Sequence, residues 1–219
     1  MGIAELSGDH SLTIYSHFIT YGHAADPAVT ALIRDETETL WNEPAAVMDV
    51  KEKKRLVIFR ITAECLPAIT EVEILENTDP RNNYFRIEEF SKDNISFVDG
   101  IGCNTGYFQL DNLYSGSTTA AHEYGHTLGL RHPADTDLRG KGVPGIMYPR
   151  GTLVDPAFQY NPQAHAGDSS NGGTLHPRFR RVKPEDILQL RLHRLDFAGR
   201  VAMIGDFTSI WHPDHKNIA

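Results

Sequence analysis

His122-Glu123-Tyr124-Gly125-His126-Thr127-Leu128-Gly129-Leu130-Arg131-His132 is the stretch on which the reading of this chain turns. On a helix, His122 and His126 stand four residues apart, on one face and one turn from each other. Both imidazoles can then reach one zinc ion at the ~2.0–2.1 Å that zinc–nitrogen bonding needs. Gly129 can adopt the positive φ that ends a helix abruptly, turning the chain back so that His132 becomes a third ligand. Three neutral nitrogens leave the fourth tetrahedral position to water, which marks a catalytic rather than a structural site. Glu123, beside the first ligand, is placed to take a proton from that water, whose pKa zinc lowers to about 7. At roughly one in twenty per residue type, five fixed positions recur by chance in about one in three million windows, so a helix merely rich in histidine is the weaker reading.

Outward from this stretch, the pattern predicts a helix from about Ser117 to Arg131, with Ser117 or Thr118 as its cap. The run Tyr107 to Leu110 before it reads as a strand, preceded by the glycine-rich loop Asp99 to Gly106. Nearer the N-terminus, Leu12 to Tyr21 mixes β-branched and aromatic residues with polar ones, as in a half-buried strand. Asp26-Pro27 then starts a helix whose apolar face is Val29, Leu32, Ile33, Leu40 and Trp41. Leu56 to Ile61 is almost continuously apolar and reads as a central strand buried on both faces. Ile69 to Leu75 and Tyr84 to Ile87 alternate as short strands do. From Met147 to Pro184 the chain is rich in Gly, Pro, Asn and Asp and is expected to be irregular. A last helix begins at Pro184-Glu185-Asp186 and carries Ile187, Leu188, Leu190 and Leu192, with Leu195 near its end.

A chain of 219 residues with 40% hydrophobic content is sized for one core. Its formal net charge of −8 argues against nucleic acid or an anionic membrane surface as partner. No stretch approaches the roughly 18 apolar residues of a membrane span, and no basic-then-apolar order marks a signal peptide. Export or secretion is nevertheless the expectation, with a cytoplasmic site as the alternative. Cys65 and Cys103 are the only cysteines, too few for a disulfide framework or a thiolate cluster. Free thiols, one disulfide, or a thiol near the metal all remain open.

These residues match the signature HExxHxxGxxH, and the chain resembles the metzincin clan of zinc metallopeptidases. Met147, in Gly145-Ile146-Met147-Tyr148-Pro149, resembles the clan's Met-turn, an apolar floor under the three histidines. Pro133 after the third histidine is similar to serralysins, and Met-Tyr-Pro to matrixins, so the subfamily stays open. The resemblance implies an α+β fold, a twisted mixed β-sheet packed on two main helices with a mostly irregular lower subdomain and a C-terminal helix. Residues 1–219 then form a single catalytic domain, divided near Gly129 into an upper subdomain, about 1–129, and a lower one, about 130–219. Met1 to Ser11 is too short for an inhibitory propeptide of the usual kind. No histidine lies between His23 and His122, so the second, structural zinc site of matrixins is expected to be absent.

The resemblance further implies a monomeric zinc endopeptidase acting on protein or peptide substrates, with one catalytic Zn2+ on His122, His126 and His132 and Glu123 as general base. The edge near Ile101 to Thr105, with Ile101 and Cys103, is expected to hold the substrate backbone, and the wall Tyr148 to Leu153 to receive the side chain after the cleaved bond. Tyr148 is expected to line that pocket without ligating zinc. Asp99 and its glycine-rich loop resemble a calcium-binding turn, so Ca2+ is a possible second ion. His165, His176 and Asp168 read as solvated loop residues. Two rivals remain, a zinc-holding interaction module without turnover and a narrow-specificity peptidase toxin or effector. The intact Glu123 counts against the first.

Overall fold

Alternation of apolar and polar side chains dominates the first half of the chain, and it folds as a sheet. The computed structural model describes residues 1–215. Strand β1 (Gly2–Ser7) turns back on β2 (Ser11–Tyr21), placing Ile3 opposite Tyr15. Helix α1 (Pro27–Asn42) comes next, then β3 (Val47–Val50), β4 (Lys53–Cys65), the short helix α2 (Glu71–Leu75) and β5 (Asn82–Glu88). Strands β6 (Phe97–Val98) and β7 (Thr105–Gln109) lead into helix α3 (Thr119–Thr127); helix α4 (Pro184–Gln189) and β8 (Val201–Ile204) close the chain.

The main path of the eight-stranded sheet runs β3-β4-β2-β5-β7-β6, with β1 joining β2 and β8 joining β1. Strands β4, β2, β5 and β7 are mutually parallel, while β3 and β6 pair antiparallel at the two ends of the path. Few helices accompany this mixed sheet, and the fold is α+β, as the resemblance implied. No helix among the described residues is long and apolar enough to cross a membrane.

Helices α1 and α3 share one face of the sheet through an aromatic cluster. The Trp41 ring of α1 lies 5.2 Å from Phe59 and 5.7 Å from Tyr124 of α3, and Tyr124 lies 5.4 Å from Phe18. The Trp41 indole N–H donates to the Ala121 carbonyl at 3.0 Å, tying the one polar atom of that buried ring to α3. This cluster fixes where α3 sits relative to the strands, and hence where its histidines point.

Helix α1 starts where the sequence places it: the Asp26 carboxylate accepts the N–H groups of Ala28 and Val29 at 2.6 and 2.9 Å, with Pro27 at the first helical position. Asp26→Ala is expected to lower stability by about 1 kcal/mol, as loss of such a cap typically does. Chemical denaturation checks this; an unchanged midpoint would mean that the Trp41 and Ile33 packing alone holds α1.

Three expectations are corrected. Leu56 to Ile61 is buried on one face only, through Val57, Phe59 and Ile61, while Leu56 is 38% exposed. Here both long helices cover the same side, and the other face meets solvent. Ile69 to Leu75 is not a strand. Thr70 Oγ1 accepts the Glu73 N–H at 3.4 Å and the Glu73 carboxylate accepts the Thr70 N–H at 2.8 Å, a reciprocal cap that starts α2. The last helix is short because Arg191 takes φ 52, breaking it before the turn Leu192–Arg194. Strands β1 and β8 carry no sequence signal strong enough to have been expected.

Candidate metal centre

Helix α3 ends in a geometry that depends on one glycine. Gly129 has φ 100; its N–H donates to the His126 carbonyl at 2.9 Å, and the Leu130 N–H reaches back to Gly125 at 3.0 Å. This paired closure reverses the chain, and the left-handed conformation it needs at Gly129 disfavours any side chain. His132, three residues on, thereby faces the two helical histidines.

The three rings converge through their Nε2 atoms. His132 Nε2 lies 3.1 Å from His122 Nε2 and 3.1 Å from His126 Nε2, and one ligand atom from each residue falls within 4.8 Å of the others. Nitrogens held ~2.0–2.1 Å from one tetrahedral ion sit about 3.3 Å apart, so the spacing fits. Orientation fits as well. His122 Nδ1 donates to the Ile146 carbonyl at 2.7 Å and His126 Nδ1 to the Leu130 carbonyl at 2.8 Å. In the neutral ring a proton committed to Nδ1 leaves Nε2 as a bare lone pair. Two lone pairs therefore aim at His132, which as a neutral ring has at most one proton to offer. Burial holds all three rings below the usual histidine pKa, so they are neutral at neutral pH, the form a metal requires.

Glu123 is almost fully buried beside this cluster, and its Oε2 accepts the Val98 N–H of β6 at 3.2 Å. Burial pushes its carboxyl up to about 8, against the pull of Arg180 and the Val98 N–H. A cation on the histidines would add to that pull. Above the cluster opens a cleft of about 670 Å³, lined on one side by Ile95 to Val98 and on another by Pro149, Arg150, Gly151 and Arg180.

Met147 is buried beneath α3, where Gly125 leaves room for it. A Cβ at Gly125 would stand 2.3 Å from Met147 Sδ and 3.2 Å from Trp41 Cζ2. Gly125→Ala is therefore expected to destabilise the fold by about 1–3 kcal/mol through overpacking. Thermal or chemical denaturation reads this, and a parental midpoint would show that Met147 can move aside.

The structure brings together His122, Glu123, His126, His132 and, beneath them, Met147. Ile101 lines the cleft. Cys103 does not: it is buried and bridged to Asp206. The residues running from Cys103 into β7 form no edge, because β7 is paired on both sides, and β6 takes the outer position. Tyr148 packs with Leu138, Val154 and Leu175, so Pro149, Arg150 and Gly151 form the cleft wall in its place. Asp99, whose loop made Ca2+ a possible second ion, accepts from Thr105 Oγ1 and from His212 Nε2, the latter at 2.9 Å. Both cysteines are free. His23, Glu88 and Asp214 also approach one another, but Glu88 is paired with Arg86 at 2.6 Å. Sequence reasoning missed Arg180, whose only signal was the basic run Arg178 to Lys183, and the carbonyl of Ile146, which no side-chain pattern reveals.

No protein-family profile matches the chain. Over 90 residues, 39% of its length, it is 33% identical to serralysin G of Dickeya chrysanthemi, and the match spans only 18% of that relative. Among solved structures it is similar to archaemetzincin from Methanopyrus kandleri, at 12% identity and a TM-score of 0.41 over 82% of this chain and 95% of that one. It is also similar to metalloproteinase-II from Bacteroides fragilis, at 13% identity and a TM-score of 0.40 over 85% and 54% of the two chains. By name the first of these is an archaemetzincin and the second a metalloproteinase.

Proposed function

We propose that the chain is a zinc-dependent endopeptidase of the metzincin type, holding one catalytic zinc on His122, His126 and His132. The observation that carries this reading is the convergence of two bare Nε2 atoms, of His122 and His126, on the Nε2 of His132 beside a buried carboxylate at the floor of a cleft. One proton on His132 can satisfy only one of the two facing lone pairs, whereas a single cation among the three nitrogens satisfies them all.

When bound, zinc supplies the positive charge that polarises the scissile carbonyl and acidifies a water. Glu123 takes the proton of the attacking water and returns it to the departing amine, as general base and then general acid. The Val98 N–H holds one of its oxygens, leaving the other to face the water. The outer edge of β6 lines the cleft, and an extended substrate can add there as a further strand. Ile146 and Leu130 hold two imidazoles in their ligating tautomers throughout.

Metal analysis of the purified protein is expected to give one zinc per chain. Its removal by a chelator is expected to abolish hydrolysis of internal peptide bonds, and its return to restore it. Activity indifferent to zinc removal would reject the reading, and trimming of terminal residues alone would reject its endopeptidase part.

A further inference from the structure

We propose that the cleft selects an acidic side chain immediately after the scissile bond, held by Arg180 and Arg150; this rests on the peptidase reading above. The chain carries a net charge of −8, yet its cleft is lined by Arg131, Arg150 and Arg180 against the single carboxylate of Glu123. Outside the cleft, Arg34, Arg60, Arg81, Arg86 and Arg139 each lie beside a carboxylate, while Arg55, also buried, has its donors met by the backbone carbonyls of Val50, Gly8 and Ser11.

Arg180 is the anchor. It is only 3% exposed, and a guanidinium so buried ordinarily comes with an acidic partner. Here its acceptors are neutral: Nε donates to Thr118 Oγ1 at 3.0 Å and Nη1 to the Tyr148 carbonyl at 3.3 Å. Among the described residues no acceptor meets its Nη2. Glu36, the other carboxylate that feels this charge, is committed to the N–H groups of Gly116 and Thr118. Burial draws the Arg180 pKa down to about 10, so it stays charged at neutral pH. Arg150 Nη2 likewise donates to a neutral group, the amide oxygen of Asn112.

Both arginines line the cleft with Pro149 and Gly151; Arg150 belongs to the stretch Tyr148 to Leu153 expected to receive the side chain after the cleaved bond, and Arg180 is tied to that stretch through the Tyr148 carbonyl. A planar guanidinium with an unmet N–H matches a carboxylate in shape and charge. A site built around such a charge discriminates against the uncharged isostere, whose amide leaves the cation uncompensated. The excess of positive charge also steers acidic segments to a protein that repels them elsewhere.

The test uses peptides blocked at both ends and identical but for Glu, Gln, Leu or Lys after the cleaved bond. For the zinc-loaded parent, kcat/KM for Glu should exceed that for Gln by at least ~10-fold, with Lys poorest and the preference shrinking at high salt. Arg180→Gln and the less buried Arg150→Gln should each pull the Glu-to-Gln ratio towards one while the Gln peptide is still cut. If Arg180→Gln does not fold, the Arg150 variant and the salt dependence decide. Equal rates across the four peptides, or a preference for Leu, would overturn the proposal and leave the peptidase reading intact. A ratio unchanged in Arg150→Gln and in any folded Arg180 variant would overturn the assignment to these arginines. Failure of the zinc-loaded parent to cut any peptide of a wider library would defeat the peptidase reading, and this proposal with it.

Discussion

His132→Ala is expected to weaken zinc binding by more than about 100-fold and to take peptide hydrolysis with it. Partners that merely orient a ligand are typically worth 10–100-fold in metal affinity, so loss of a ligand itself should exceed that range. The fold should survive, because His132 is exposed on the chain beyond Gly129 and contributes little to the core. What remains is two helical imidazoles whose lone pairs still face the vacated position. Competition for zinc against a chelator of known affinity measures the change, with circular dichroism reporting the fold. Parental affinity in this variant would mean that the Gly129 turn does not deliver a third ligand.

Much of this site was legible in the sequence because its geometry is local. The separation of His122 and His126 is set by helix periodicity, and the return of His132 by a single glycine whose φ of 100 only that residue adopts freely. The cap of α1 could be read for the same reason, since Asp26 and the amides it accepts lie within three residues. Other features depend on contacts distant in sequence. Whether Leu56 to Ile61 is covered on one face or two is decided by where α1 and α3 pack, about which the run itself says nothing. Residues 69–75 alternate as a strand would, yet the Thr70–Glu73 exchange outweighs that pattern.

The substrate side was the least legible. Strand β6 is two residues long, and its place at the sheet edge comes from pairing with β7, not from its own composition. Tyr148 was expected in the cleft, but Leu138, Val154 and Leu175 give it an apolar surface to pack on, and its carbonyl serves Arg180. Arg180 comes from a basic run of the kind that usually lies at the surface, and its burial beside Thr118 was beyond the reach of pattern.

Glu123→Gln is expected to slow peptide hydrolysis by about 10²–10⁴ while leaving zinc binding intact, because the amide keeps the shape of the carboxylate and an oxygen for the Val98 N–H but cannot take a proton. The same substitution should not destabilise the metal-free protein. The carboxyl of Glu123 titrates near 8 in the fold, above its ordinary value, so ionising it opposes folding progressively as pH rises from about 4.5 towards 8. A neutral glutamine removes that penalty, and at neutral pH the metal-free variant should be at least as stable as the parent. A side chain kept for packing would show the opposite pattern, with stability lost and rate unaffected.

The most direct test of zinc-dependent peptide hydrolysis is therefore mass-spectrometric cleavage of a library of blocked peptides by the parent and by Glu123→Gln at equal zinc occupancy. The account predicts internal cuts by the parent and the same cuts about 10²–10⁴ more slowly by the variant. A parent that cuts nothing, or a variant that cuts at the parental rate, would contradict it.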